Sequence, residues 1–433
     1  MAAESNSDEL ISSTKPDAAP ESETKVLSEP SAIPNGGVTA WLQVLGAHLL
    51  FFNSWGIINT FGAYQTYYES ELLRHNSSSE ISWIGTFQGF LLTVFCIATG
   101  PIFDRGYYQP MLAVGTFLVV FGLMMTSIAT EYWQVFLAQG LCTGLGTSCL
   151  FLPSVAIVAT YFSTKRALAT GIVAAGGSIG SVVYPIVFHR LQPQIGFGWA
   201  TRVIGFLALF GIAISTVIMK TRLPPVKKSH SLIDTAAFRS PLFVLFSFGV
   251  FFVFVGLYIP FFYIIDFAQH KLGVTEDLSF YLLCVINASS AFGRIIPGLL
   301  ADRLGSLEVI TICTLATTVL AYAWIAINNL GGIIVFCILY GFFSGAVVSL
   351  PPTVVASLAP ELELVGTWVG MCFGFAGLGF LIGNPIAGTL ISIEDRQFTH
   401  GIIFAASMVA AAAVFFVSVE LIRLGFIRVR SSK

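Results

Sequence analysis

Charge is scarce in this chain: Asp, Glu, Lys and Arg make up 10% of 433 residues and nearly cancel, to a net −2. A soluble domain carries about 25% charged residues to cover its surface, so a water-soluble globule is excluded. With no basic excess there is no field to hold phosphates, which excludes nucleic acid as a partner. Cysteine is present but never in pairs. Cys96, Cys142, Cys149, Cys284, Cys313, Cys337 and Cys372 all fall in apolar stretches, with no Cys-x-x-Cys among them. That pattern gives neither a metal site nor a disulfide framework, and nothing else in the sequence calls for a cofactor. The N-terminus lacks the basic-then-apolar order of a cleavable leader.

What the chain has instead is apolar length. Hydrophobic residues reach 55%, Phe alone supplies 39 positions and mean hydropathy is +0.83. About 20 predominantly apolar residues cross a bilayer as a helix. Twelve segments meet that length, near 40–68, 81–102, 109–129, 133–157, 167–189 and 199–219, then 241–265, 278–300, 307–327, 332–357, 366–390 and 400–424. The expected fold is an all-α integral membrane protein of twelve transmembrane helices in two six-helix bundles. Residues 1–36, rich in Ser, Glu, Pro and Ala, read as a disordered cytoplasmic tail. Residues 37–219 and 241–425 form the bundles. The polar stretch 220–240, with Lys220, Arg222, Pro224-Pro225, Lys227, Lys228 and Arg239, links them, and 426–433 is a second cytoplasmic tail.

Basic residues orient the chain. With the N-terminus inside, 15 of the 21 lie in cytoplasmic segments, five (Arg74, Arg190, Arg202, Lys271, Arg396) lie outside, and Arg294 is within a span. This satisfies the positive-inside rule, with both termini cytoplasmic. Asn76-Ser-Ser is then an outer glycosylation sequon. The plasma membrane is the default location.

The chain also repeats itself. Gly100-Pro-Ile-Phe-Asp104-Arg105 and Gly298-Leu-Leu-Ala-Asp302-Arg303 end spans two and eight, 198 residues apart. Gly140-x-x-x-Gly144 answers Gly341-x-x-x-Gly345, and Pro185-Ile186 answers Pro385-Ile386. Offsets near 200 point to a duplicated six-helix unit, the plan of a transporter whose substrate site lies between its halves. Asp104 and Asp302, with Arg105 and Arg303 beside them, read as gate residues. A carboxylate there pairs with a neighbouring basic side chain or with the positive N-terminal end of another helix. Gly171 to Gly180 in span five and Gly370 to Gly383 in span eleven are close-packing stripes. No Lys-Ser/Thr follows them, so they are no phosphate loop.

Arg294 is the one full charge deep in a span, a costly placement that faces a cavity or a partner. Asn287 and Ser290 share its helix face, which suits an organic anion through the two-pronged guanidinium. The competing reading pairs Arg294 with backbone carbonyls. His48, Phe52, Trp55 and Asn59 form one stripe on span one. Tyr258 and Tyr263 flank Pro260, and Asn384 precedes Pro385, where a proline frees carbonyls for a ligand or a hinge. These give a candidate binding set of Trp55, Asn59, Tyr258, Asn287, Ser290, Arg294 and Asn384.

The repeated loops in two six-span halves resemble the major facilitator superfamily. Within it, Asn35-Gly-Gly-Val-Thr-Ala-Trp41 and Tyr161-Phe-Ser-Thr-Lys165-Arg166-Ala-Leu-Ala-Thr-Gly171 resemble signatures of the monocarboxylate porter family, with Asn35 where that family has Asp. Gly56-Ile-Ile-Asn59 and Asn287-Ala-Ser-Ser-Ala-Phe-Gly-Arg294 look like its fungal branch. The resemblance implies a secondary transporter of a small organic acid or carboxylated metabolite. It places Asn59 and Ser290 where proton-coupled animal members carry Lys and Asp. Fungal relatives include exporters of secondary metabolites, so efflux is the alternative. With no nucleotide-binding motif, uphill movement draws on protons or another solute gradient. A non-transporting nutrient sensor is the reading from another class, and short inner tails count against it. No paired mid-span carboxylates or activated nucleophile support an enzyme. The partners expected are a small-molecule substrate, protons as coupling ion and membrane lipid.

Overall fold

The computed structural model describes residues 33–222, 233–391 and 396–425. The expected N-terminal tail is therefore seen only from Ile33. Pro224-Pro225, Lys227 and Lys228 of the linker and the C-terminal 426–433 lie outside the described residues. Every regular element among the described residues is helical. Lipid imposes this, since a span must satisfy its backbone N–H and C=O groups within its own helix.

Eleven of these helices are long and apolar enough to cross a membrane. In order they are α1 (Val38–Leu72), α2 (Ser79–Asp104), α3 (Tyr108–Thr126), α4 (Tyr132–Tyr161), a fifth at Arg166–Ile218, α7 (Pro241–Lys271), α8 (Glu276–Leu304), α9 (Ser306–Ala326), α10 (Leu330–Leu358), α11 (Leu362–Leu390) and α12 (Thr399–Arg423). The fifth contains 53 residues, which at 1.5 Å per residue is about 80 Å, far beyond a hydrocarbon core of about 30 Å. Its backbone leaves helical geometry at Gly196, φ 79 and ψ 163, a conformation glycine adopts without a Cβ penalty. The two sides are α5 (166–195) and α6 (197–218), so twelve spans are present. The break is confined to this residue. Arg190, Gln192 and Gln194 are sound helix formers, so the polar segment expected to separate spans five and six is itself helical up to Gly196.

Local chemistry marks several ends. The Ser77 hydroxyl accepts from the Glu80 N–H while the Glu80 carboxylate accepts from the Ser77 N–H, a capping box at the start of α2. Asn329 caps α10 through Gly332 N–H at 2.7 Å, and Ser240 with Pro241 opens α7. Pro260 interrupts α7 at Leu257–Tyr258, and the Leu257 carbonyl accepts from Tyr340 of α10 at 2.9 Å. Pro385, by contrast, lies inside the continuous helix Val365–Leu390.

In the first half α1 packs on α4, α5 and α6, and α3 on α4 and α6. In the second, α7 packs on α11 and α12, α8 on α10, and α9 on α12. The halves meet chiefly where α2 crosses α11 and α5 crosses α8. Both crossings are glycine-to-backbone contacts. A Cβ on Gly100 would lie 2.5 Å from the Gly366 carbonyl, and one on Gly171 would overlap the Arg294 carbonyl.

Candidate functional site

Asp104 and Asp302 do related work at one end of the molecule. Asp104 closes α2, and its carboxylate accepts from Gly366 N–H at 3.0 Å, Thr367 N–H at 2.7 Å and the Thr367 hydroxyl at 2.6 Å. Asp302 lies near the end of α8 and accepts from Ala167 N–H at 2.8 Å and Leu168 N–H at 2.9 Å. Each aspartate therefore caps the free N–H groups at the start of a helix in the other half, where the helix dipole favours negative charge. Of the two partners open from sequence, the helix N-terminus is the one engaged. Lys165 and Arg166 add electrostatic attraction at Asp302, whereas Asp104 has the Thr367 hydroxyl instead. Arg303 is exposed and Arg105 half-buried. A small cavity of about 30 Å³ lies beside Asp104, with Thr160, Arg222 and Glu363 in its lining.

Two further tethers surround this end. Trp368 Nε1 donates to Asp234 at 2.9 Å, anchoring the segment before α7 one residue beyond the Asp104 partners. Asn35, with φ 54, accepts through Oδ1 from Ser163 N–H at 2.6 Å, the Ser163 hydroxyl at 2.9 Å and Thr164 N–H at 2.9 Å. Trp41 packs edge-on against Phe162 at 5.2 Å. The stretches beginning at Asn35 and Tyr161 thus dock on each other and fix the turn that launches α5.

Arg294 lies mid-span between α8 and α5, 5% exposed, with Nη1 donating to the Ala174 carbonyl at 2.6 Å. The backbone-carbonyl pairing holds for this nitrogen, while Nε, also buried, has no partner. The guanidinium lies 5.8 Å from the Phe51 ring centroid and interacts electrostatically with Tyr258. Trp55 stacks on Tyr258, centroids 5.7 Å apart and planes 6° apart. Trp55 Nε1 and the Tyr258 hydroxyl are likewise buried without a partner. Phe51 and Trp55 pack with Phe151, Ala174, Ser349 and Phe373 around a space too small for a water molecule.

The other sequence candidates are engaged in helix contacts. Ser290 accepts from Ser178 at 3.2 Å, Asn59 donates to Ser181 at 2.8 Å, and Asn287 donates to Leu283 of its own helix at 2.9 Å. The Asn384 carbonyl accepts from Tyr263 at 3.5 Å, one turn beyond Phe380, which packs on Tyr258. The structure brings Trp55, Tyr258 and Arg294 together. Asn59 and Ser290 tie their helices to α5 through Ser181 and Ser178, partners that sequence reasoning missed, while Asn287 bonds within its own helix. Gly366 and Thr367 were also missed, although they stand 199 residues beyond Ala167 and Leu168 and so carried the duplication signal. At the end opposite the aspartates, Arg190 donates to Tyr281 at 3.0 Å, His189 stacks on Phe280 at 4.7 Å, and Tyr68 donates to Gln139 at 2.5 Å. Asn76 lies in the turn between α1 and α2 at that end.

Comparison with known proteins follows the same lines. The sequence profile of the Major Facilitator Superfamily matches residues 44–364. MFS-type transporter dbaD of Emericella nidulans is 42% identical over 385 residues, 89% of this chain and 86% of the relative. The aspyridones efflux protein apdF of the same species is 37% identical over 412 residues, covering 95% and 82%. The agnestins efflux protein AgnL12 of Paecilomyces divaricatus is 36% identical over 352 residues, covering 81% of each. Among solved structures, the human organic anion transporter MFSD10 (TETRAN) superimposes with a TM-score of 0.67 at 14% identity, over 87% of this chain and 98% of that one. FucP in its outward conformation gives 0.66 at 14% identity with the same coverage. At such identity these two show the fold alone.

Proposed function

The chain belongs to the Major Facilitator Superfamily, and on that premise we propose that it exports a small acidic secondary metabolite by alternating access. The observation that carries the reading is Arg294, a buried mid-span guanidinium with one nitrogen on Ala174 and another unpartnered beside Trp55 and Tyr258. An anion or carbonyl oxygen satisfies such donors, and their burial makes leaving them empty costly. Export is favoured over uptake by relatives such as the aspyridones and agnestins efflux proteins. The docked stretches at Asn35 and Tyr161 keep a tie to the fungal monocarboxylate porters.

The bundles are residues 37–219 and 241–425, rocking about the α2–α11 and α5–α8 crossings. Asp104 and Asp302 hold the inner end shut, and release of their caps opens it. Asn384 and the Asn287–Ser290 face border the central site. Both termini are cytoplasmic in the plasma membrane, Asn76 faces outward as a glycan acceptor, and protons drive the export.

The test is transport in a yeast lacking related carriers, with labelled carboxylates and extracted fungal metabolites, with and without a protonophore. Efflux of an acidic compound that stops with the protonophore and is lost in Arg294→Ala at normal membrane abundance supports the proposal. Transport unchanged in Arg294→Ala overturns the anion site, and efflux that survives the protonophore overturns proton coupling.

A further inference from the structure

The duplication sets matching residues at two helix crossings, and their polar groups are satisfied at only one. In the first half Gly140 and Gly144 of α4 face α2, where an added Cβ would lie 3.4 Å from the Ile84 carbonyl and 3.1 Å from that of Gln88. In the second half Gly341 and Gly345 of α10 face the Ile286 and Ser290 carbonyls of α8. Gln88 therefore answers Ser290, and Gln139 answers Tyr340. Ser290 is joined to Ser178, and the Tyr340 hydroxyl donates to the Leu257 carbonyl. Gln88, by contrast, is 0% exposed with neither Nε2 nor Oε1 partnered, and Gln139 is 1% exposed with Nε2 unpartnered. Gln139 Oε1 accepts from the Tyr68 hydroxyl of α1.

The backbone differs at the same place. Phe136–Thr143 of α4 is wound as a π-helix, whereas α10 is an unbroken α-helix from Leu330 to Ser349. Tyr68–Leu72 of α1 is also π-helical, with the Leu73 N–H donating to the Tyr68 carbonyl, five residues back, at 2.7 Å. The Tyr68–Gln139 bond therefore ties one π segment to the other. A π turn closes its bonds one residue later than an α turn and marks functional sites. Reverting it to α turns the helix beyond by about 100°, one residue's share of a 3.6-residue turn. Such a turn is confined to the outer end, because α4 is α-helical and buried from Gly144, where Gln88 packs on it. In the arrangement seen, Arg190–Tyr281 and His189–Phe280 join the halves at that end, so it is shut.

We infer that the first half opens its outer end by rewinding α4. With that end shut, Tyr68 holds Gln139 in the π segment, and three buried amide atoms of Gln88 and Gln139 go without partners. With it open, the segment takes α geometry, Gln139 leaves Tyr68, and its carboxamide pairs with that of Gln88. Two carboxamides are complementary, since each offers a donor and an acceptor. Unpartnered buried polar groups are costly, so the shut form is the strained one and the pairing draws α4 toward the open form. The motion lies within one half and adds to the rocking of the two. The second half has no counterpart, since Ser290 and Tyr340 are already bonded and α10 is already α-helical.

The experiment uses the full chain in nanodiscs without cargo. Hydrogen exchange read by mass spectrometry compares Phe136–Thr143 with its duplicate, residues 337–344 of α10. The π segment is expected to exchange at least tenfold faster. Thiol labelling of a cysteine introduced at the outer mouth, in a background without the native cysteines, reads opening. Gln88→Leu removes two unpartnered atoms from the shut form and the partner from the open one. It is expected to lower outer labelling several-fold without lowering the melting temperature. Tyr68→Phe removes only the hydroxyl that holds Gln139, and outer labelling should rise several-fold. Equal exchange in the two segments overturns the rewinding. Labelling that does not fall in Gln88→Leu overturns the pairing with Gln139, and labelling that does not rise in Tyr68→Phe overturns the hold on the shut form. None of these readouts involves cargo, so the rewinding can fail while the whole-cell efflux assay upholds the transporter reading.

Discussion

Thr367 gives Asp104 two of its three hydrogen bonds, the backbone N–H at 2.7 Å and the hydroxyl at 2.6 Å, across 263 residues of chain. This pair joins the end of α2 to the first turn of α11, and its counterpart joins Asp302 of α8 to Ala167 and Leu168 of α5. Hydrogen bonds to a charged acceptor contribute about 1.5–3 kcal/mol each, enough to hold one arrangement of the halves without making it permanent.

Asp104→Asn turns one carboxylate oxygen into an N–H₂ facing donors that need an acceptor. Combined with Asp302→Asn, it is expected to leave cargo affinity within about twofold and to shift the inner end toward opening by at least tenfold, about 1.4 kcal/mol. Thiol labelling of a cysteine introduced at the inner end, in a background without the native cysteines, reads the shift. Labelling unchanged from wild type sinks the gate assignment.

Thr367→Val removes the hydroxyl and keeps the shape. It is expected to open the inner end by less than the double aspartate variant, since both backbone donors remain. An effect larger than that of Asp104→Asn alone would mean that Thr367 acts elsewhere.

Asn35 accepts three hydrogen bonds from Ser163 and Thr164. Asn35→Ala leaves those donors without their acceptor and is expected to lower the melting temperature of the purified protein. Asn35→Asp keeps the acceptor oxygens and strengthens the cap, so its melting temperature should equal or exceed that of wild type. Equal destabilisation by Ala and Asp would contradict the capping role.

Gly171 touches the Arg294 carbonyl so closely that any Cβ overlaps it. Backbone cannot swing aside as a side-chain tip can. Gly171→Ala is therefore expected to force α5 from α8 and reduce transport by an order of magnitude or more, about 1.4 kcal/mol per tenfold. Gly62→Ala, where nothing lies within 4 Å, is the control and should transport normally.

Trp368→Phe removes the donor that holds Asp234 and keeps the ring packed against Phe243 at 4.8 Å. The expected outcome is faster inner opening at unchanged cargo affinity, seen as a raised turnover in the efflux assay. Unchanged turnover would show that the Asp234 tether is independent of the adjacent latch.

The span pattern and the duplication were legible because the bilayer leaves little else for an apolar run to do. Twenty apolar residues must form a helix that satisfies its own backbone, and the Asp104 and Asp302 loops announce a repeat by spacing alone. The weight of Arg294 was legible for the same reason, since an ion in hydrocarbon needs a purpose. Gly196 was not. Only in three dimensions does one glycine with positive φ separate two spans that otherwise run as a single helix.

The partners of the aspartates were open as well. A carboxylate at a helix end suits a basic side chain and a helix N-terminus equally, and sequence carries no distance between Asp104 and Thr367. Packing settled it, because glycines at the α2–α11 and α5–α8 crossings bring the helices close enough for the carboxylates to reach bare N–H groups. Trp55, Tyr258 and Arg294 were each conspicuous in the sequence. That Trp55 stacks on Tyr258 and Tyr258 interacts with Arg294, each keeping a buried unpartnered donor, while Asn59, Ser290 and Asn287 turn to neighbouring backbone and hydroxyls, was decided by the tertiary structure, since burial and hydrogen-bond geometry depend on which helices meet.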